Sequence, residues 1–230
     1  VYGGSTSVGF YAIQLAKLLG YKVATACSPR NFDVVKSYGA DAAFDYKDAD
    51  ACVKSIREVS GGGVDVAMDC VSEGESQIIS MKSFNDKPGH QLNIILIPDP
   101  AAAAIRPDIP IAPTLLYTVW GEVSTIQVAR VARVGCTTRT TRTIAPETKY
   151  GSDTQAFNFG PREGPEIPLP ALPDQRAWFA ELVAKTPEFI EVLGIRPAPY
   201  IIRGGLEDIP AGFADMQAGK VSAQRLVYKI

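Results

Sequence analysis

The sequence predicts an α/β protein built on a doubly wound parallel sheet. Strands alternate with helices from residue 1 to about 98, and helical stretches of about 10–15 residues separate the strands. A small-residue turn at residues 3–9 leads straight into an apolar helix. Alternation of this kind implies right-handed crossovers and a sheet covered on both faces.

The first helix runs from Phe10 to Gly20 and follows Val1-Tyr2-Gly3-Gly4-Ser5-Thr6-Ser7-Val8-Gly9. Lys22 to Cys27 is a short apolar strand. Asn31 caps a second helix through Val34, Val35 and Tyr38, and Gly39 ends it. Ala42 to Tyr46 is the third strand, counting a first one before the glycine turn. Ala51, Cys52, Ile56 and Val59 recur at helical spacing over Asp48–Ser60, and three glycines stop that helix. Val64 to Cys70 is the fourth strand. A helix with Ile78, Ile79 and Met81 inward follows, and Gln91 to Ile97 is the fifth strand.

Beyond it, Leu115 to Trp120 reads as a strand. Gln175 to Val183 reads as a helix with Trp178, Phe179 and Leu182 in its core stripe. Thr186-Pro187 opens a further turn. Tyr200 to Arg203 is a strand, and Leu206, Ile209, Phe213 and Met216 line one face of the last helix. Arg225 to Ile230 is a final strand expected to pair outside the main sheet.

One stretch has no period. Val123 to Gln155 holds eight Thr and five Arg or Lys but no Leu, Phe, Met or Trp. Thirty-three such residues inside a compact domain are not an ordinary connection. Two readings stand side by side: a disordered surface insertion, or a translated intron. For the second, Val123-Ser124 can be encoded with a splice-donor sequence and Gln155 with an acceptor end. Sequencing the mature transcript separates them.

Composition narrows the function. The formal charge is −2, from 23 basic and 25 acidic residues that are mixed along the chain. Nucleic acid and anionic membranes are therefore not expected partners. No apolar run approaches the roughly 20 residues of a membrane span, and no signal peptide is seen, so a cytoplasmic location is expected. Cys27, Cys52, Cys70 and Cys136 lack the spacing of a metal site and His90 is the sole histidine, so no metal is expected.

Gly4-Ser5-Thr6-Ser7-Val8-Gly9 reads as G-x-G-x-x-G with Thr6 in place of the middle glycine. Between a strand and a helix, such a loop turns backbone amides and a helix N-terminus toward a pyrophosphate. Gly4 permits the tight turn, and Gly9 lets the helix approach the strand. Only Val1 and Tyr2 precede the turn, so a strand is expected to be incomplete. About twenty residues on, proteins selecting NAD place an acid for the ribose hydroxyl. Here stand Cys27-Ser28-Pro29-Arg30-Asn31, without a carboxylate. Arg30 and Ser28 suit a 2′-phosphate, which favours NADPH; the alternative for Arg30 is a solvated loop charge. Tyr46 lies over the adenosine, or else in the core or on the rim. Asp45 and Asp69, at strand ends, read as structural.

Residues 1–7 (Val-Tyr-Gly-Gly-Ser-Thr-Ser), 26–33 (Ala-Cys-Ser-Pro-Arg-Asn-Phe-Asp), 38–41 (Tyr-Gly-Ala-Asp), 44–46 (Phe-Asp-Tyr) and 118–122 (Thr-Val-Trp-Gly-Glu) together resemble a known family. It is the fungal trans-acting enoyl reductases, zinc-independent medium-chain dehydrogenases/reductases that assist polyketide synthases. The ending at 218–227 is similar to the C-terminus common in that superfamily. The resemblance implies a Rossmann-type doubly wound sheet whose C-terminal segment would return to a GroES-like domain absent from this sequence. It implies a nucleotide-binding domain over 1–198, interrupted at 123–155, and a return segment over 199–230.

By the same resemblance, NADPH is held by Ser5, Thr6, Ser7 and Val8, by Ser28, Pro29, Arg30 and Asn31, by Tyr46, by Ile94 and Ile95, and by Val221 and Ser222. The acyl chain borders Tyr117, Thr118, Val119, Trp120 and Gly121. The implied activity is NADPH-dependent reduction of an α,β-unsaturated thioester, presented on an acyl carrier by a polyketide synthase. The proton donor is unassigned. Alternatives are a quinone or ketone reductase of the same superfamily, or a non-catalytic nucleotide-binding module.

Overall fold

Val1 and Tyr2 occupy the centre of the sheet. Their backbone bonds to the strands on either side, Tyr2 N–H donating to Met68 O (2.9 Å) and Ala26 N–H to Val1 O (3.1 Å). These contacts come from a computed structural model, which describes residues 1–114, 124–127, 166–169 and 173–230. The chain divides into two units, Val1–Leu115 with Ala184–Ile230, and Leu116–Val183.

In the first unit, β1 (Ala24–Ala26) pairs in parallel with β2 (Ala42–Phe44). Likewise β3 (Ala67–Asp69) pairs with β4 (Leu92–Ile94), and β4 with β5 (Ile111–Pro113). Tyr2 bridges Ala26 on one side and Asp69 on the other. The order is therefore β2, β1, Tyr2, β3, β4, β5, with the direction of winding reversing at Tyr2. This is the expected doubly wound parallel sheet. The strands are shorter than the apolar runs suggest, since Lys22–Cys27 yields three paired residues and Gln91–Ile97 yields Leu92–Ile94.

Local chemistry accounts for the helices. In α1 (Ser7–Leu18) the Thr6 hydroxyl caps the N-terminus by accepting from Gly9 N–H at 3.0 Å. Asp48 caps α3 (Ala49–Val59) by accepting from Ala51 N–H at 3.0 Å. Between them, α2 spans Phe32–Ser37. After β3 come α4 (Ser76–Ser83) and α5 (Pro100–Ile105). The apolar run before β5 hid α5, because four alanines carry no period; Asp99 and Pro100 are the cap and first-turn pair that mark it.

Core packing covers both faces of the sheet. Cys27 joins Phe10, Ile13, Val23 and Val35 on one side, while Ala26 joins Cys52, Ile56 and Ile79 on the other. Under the β3–β5 half lie Met81, Phe84, Leu92, Ile94 and Ile109. His90 is buried against Phe84, with its ring nitrogens at 3.0 Å from Asp65 O and 2.7 Å from Asn85 Oδ1. It is a satisfied core residue.

The C-terminal part of this unit holds α7 (Thr186–Glu191), β8 (Tyr200–Ile202), α8 (Ile209–Gln217) and β9 (Arg225–Val227). As expected, β9 stays outside the main sheet and pairs in parallel with β8. Gln14 ties this segment to α1, donating to Arg196 O (3.0 Å) and accepting from Arg196 N–H (2.8 Å). On α8, Phe213 and Met216 remain 61% and 56% exposed.

In the second unit β6 (Ser124–Gln127) pairs antiparallel with β7 (Glu166–Leu169), and α6 (Pro173–Ala184) lies in it up to Val183. Ser124–Gln127 belongs to the stretch expected to lack structure, so four of its residues do form a strand; the rest lies outside the described residues. Of the core stripe expected on α6, Phe179 and Leu182 are half-buried, but Trp178 is corrected, being 60% exposed.

Burial governs the thiols. It pushes Cys70 up to about 12 and Cys27 and Cys52 up to about 11. A thiol held neutral in the fold stabilises it fully below the ordinary thiol range. That stability is lost as pH rises from about 9 through the raised values. Denaturant midpoints should therefore fall steadily between about pH 9 and 11. At pH 8 these thiols should react with a thiol reagent only once the chain is unfolded. Rapid reaction of all three in the native protein would contradict their burial.

Candidate functional site: a groove at the sheet reversal

At the carboxyl end of the sheet, where the order reverses, an open groove of about 630 Å³ runs beside Tyr2. Ligands of doubly wound sheets bind at this point because adjacent loops diverge there. One wall is the Gly3–Thr6 turn, and another is the chain leaving β1, from Ala26 to Asn31. Tyr46 and Lys47 close one side, the turn at 71–75 another, and Ser222 contributes from the C-terminal segment.

The glycine turn is tightly built. A Cβ on Gly9 would lie 2.2 Å from Gly3 O and 2.7 Å from Gly4 Cα, so helix and turn touch backbone to backbone. The first-turn amides of α1 lack acceptors within the helix, and its positive end faces the turn. Thr6 spends its acceptor on the Gly9 cap. Ser7 Oγ accepts from Arg225 Nε at 2.8 Å.

The second wall follows β1. Pro29–Asn31 forms a short 3-10 turn. Arg30 is exposed, and its Nη1 donates to Gly219 O at 3.4 Å. Asn31 stands at the cap position of α2, but its side chain makes no cap bond. Instead its Nδ2 donates to Ser222 Oγ at 3.0 Å. The capping role read from sequence is thus corrected, since a partner 191 residues away takes the amide. Tyr46 is 37% exposed and meets the Tyr2 ring edge-on at 6.0 Å.

Asp69 underlies the third wall and is fully buried. Its Oδ1 accepts from Val71 N–H (2.9 Å) and Ser72 N–H (2.8 Å), and its Oδ2 from the Ser76 hydroxyl (2.5 Å). Ser72, held at φ +59°, in turn accepts from Ile95 N–H at 3.0 Å. Asp69 therefore fixes the loop after β3, in keeping with the structural role expected for it.

The fold brings Ser5, Thr6, Ser28, Arg30, Asn31, Tyr46 and Ser222 to one groove. Pro29 starts the 3-10 turn, and Ser7 and Val8 lie in the first turn of α1. Ile94 faces the core, fully buried, and Ile95 does not line the groove; its N–H donates to the Ser72 hydroxyl in the loop behind the third wall. Val221 precedes Ser222 without lining the groove. Tyr117 to Gly121 lie outside the described residues. Sequence reasoning missed Lys47, Glu73 and Glu75, three charged wall residues; the pairing of Lys47 with Tyr46 was the one available signal.

Among the described residues no three His, Cys, Asp or Glu side chains come together to hold a metal ion, and no helix is long and apolar enough to cross a membrane.

A family model described as zinc-binding dehydrogenase matches residues 7–90. The trans-enoyl reductase mpsG of Macrophomina phaseolina is 34% identical over 99% of this chain and 53% of its own length. The trans-enoyl reductase mycC of Thermothelomyces thermophilus is 32% identical over 100% of this chain and 52% of its own. The chain thus spans about half the length of the curated relatives it matches. Among solved structures, the JamJ enoyl reductase superposes with a TM-score of 0.64 at 18% identity, over 100% of this chain and 54% of that one. The mycobacterial protein Rv1454c, solved with NADPH, superposes with a TM-score of 0.59 at 18% identity, over 100% of this chain and 55% of that one. At those identities the likeness shows the fold, the Rossmann-like half of these enzymes.

Proposed function

Because the chain is a homologue of the fungal trans-enoyl reductases over about half of their length, we propose that its protein is an NADPH-dependent enoyl reductase. It acts in trans with a polyketide synthase, on α,β-unsaturated thioesters borne by an acyl carrier. The observation carrying this reading is the wall after β1. Ser28 and Arg30 border the groove and no carboxylate occupies that turn, a donor set suited to a 2′-phosphate.

The residues present fit the cofactor. The Gly9–Gly3 contact seats the start of α1 directly against the glycine turn, and that turn lines the groove. The first amides of α1 orient that group, and Arg30 with Ser28 holds the 2′-phosphate. Tyr46 borders the adenosine; the family resemblance adds Ile94, Ile95 and Val221 to the same set, although none of the three lines the groove. When bound, NADPH supplies a hydride to the reaction. The segment Tyr117–Gly121 borders the acyl chain. Among the described residues no three His, Cys, Asp or Glu side chains stand close enough to hold a zinc ion.

Solved quinone oxidoreductases share this fold, and fold alone leaves the substrate open. A protein of the relatives' full length, given NADPH and an enoyl thioester on pantetheine, should consume NADPH and yield the saturated thioester. Reduction of quinones with the enoyl thioester untouched would replace this reading with that of a quinone reductase. The 230-residue chain by itself should bind NADPH with little or no turnover.

A further inference from the structure

We propose that the turn closing α8 takes part in cofactor selection. The Gly219 carbonyl, at 3.4 Å from Arg30 Nη1, orients that guanidinium toward the 2′-phosphate and makes Gly219 a positioning residue. The inference rests on the reading of Arg30 given above and adds what holds it in place.

Arg30 is exposed on a short turn, so its long stem would otherwise sample many rotamers. A guanidinium is a rigid planar fork with five donors, and fixing one nitrogen fixes the plane of the others. Among the described residues only Nη1 is engaged. The remaining nitrogens stay free for an anion at the groove.

The anchor is well built. Gly219 adopts φ +67°, and its N–H donates to Met216 O at 3.0 Å. Lys220 N–H donates to Asp215 O at 3.0 Å, completing a glycine C-cap on α8. The Asp215 carboxylate accepts from Arg203 (2.7 Å) and Lys220 (3.3 Å), tying the cap to the end of β8. The negative end of α8 attracts the guanidinium. The adjacent Asn31–Ser222 bond, 3.0 Å, holds the same two segments together independently. A Cβ on Gly219 would meet nothing within 4 Å, so a substitution there acts through φ alone.

The test is calorimetric titration of the chain and its variants with NADPH, NADH, 2′,5′-ADP and 5′-AMP. Gly219→Val, which disfavours φ above zero, should weaken NADPH and 2′,5′-ADP about tenfold, the scale of a charge-assisted hydrogen bond. NADH and 5′-AMP should change less than about twofold. Asp215→Ala should shift the NADPH-to-NADH ratio in the same direction, and Arg30→Lys should too, since an ammonium cannot serve carbonyl and phosphate in one plane. An unchanged ratio in Gly219→Val and Asp215→Ala overturns the inference while leaving the reading of Arg30 intact. Loss of both dinucleotides in both variants, with a lowered thermal midpoint, also overturns it, because the turn would then serve the fold as a whole. A parent chain that binds NADPH and NADH equally overturns the reading of Arg30 itself.

Discussion

Gly9→Ala is expected to abolish dinucleotide binding and to lower stability by about 3 kcal/mol or more, at the upper end of overpacking effects. The new methyl group would sit 2.2 Å from Gly3 O and 2.9 Å from Gly3 C. Neither atom can yield as a flexible side chain would. Gly3 is held at φ +76°, and its carbonyl accepts from Thr6 N–H at 2.9 Å. Moving it breaks the turn that presents the amides and displaces the Thr6 cap. For a chain of this size the thermal midpoint should fall by roughly 6–12 °C. Gly20→Ala is the matched control. Gly20 has φ +83° with nothing within 4 Å of a Cβ, so only left-handed strain, about 1 kcal/mol, should appear. Equal melting of the two variants would show that the close approach at Gly9 is not needed.

Asp69→Ala should cost about 3–4 kcal/mol, because it leaves several donors in a buried site without their acceptor. Val71 N–H, Ser72 N–H and the Ser76 hydroxyl all point at this carboxylate. Ser72 would lose the contacts that hold it at φ +59° and, with them, its bond to Ile95. The loop after β3 forms one wall of the groove, so dinucleotide affinity should fall along with stability. Asp69→Asn should be milder, since the amide oxygen keeps one acceptor. Chemical denaturation of both variants measures the difference. An alanine variant as stable as the parent would mean that water satisfies these donors.

The sheet was legible because its signals are local. Apolar strand runs, the helical spacing of Ala51, Cys52, Ile56 and Val59, and the glycine turn each act within a few residues. Strand ends were less so, since pairing in a twisted sheet stops before the apolar run does. Tyr2 counts as a strand only through its neighbours, Ala26 and Asp69. Helix α5 escaped notice because alanine suits both core and surface. The site was legible in part. The spacing of the turn and the absence of an acid after β1 pointed to the groove. The contacts of Asn31 with Ser222 and of Arg30 with Gly219 cross about 190 residues of sequence, and no local pattern encodes them. Trp178 misled for the opposite reason: a large apolar side chain at helical spacing looks like core even when it stays exposed.

Cofactor choice is the claim on which the rest depends, and equilibrium titration of the chain with NADPH and NADH tests it most directly. The account predicts that NADPH binds roughly ten- to a hundredfold more tightly, the worth of a charge-assisted hydrogen bond of about 1.5–3 kcal/mol. Arg30→Asp should reverse the order, because the new carboxylate repels the 2′-phosphate and can accept from a ribose hydroxyl. Equal affinities in the parent chain, or a preference for NADPH that survives Arg30→Asp, would contradict it.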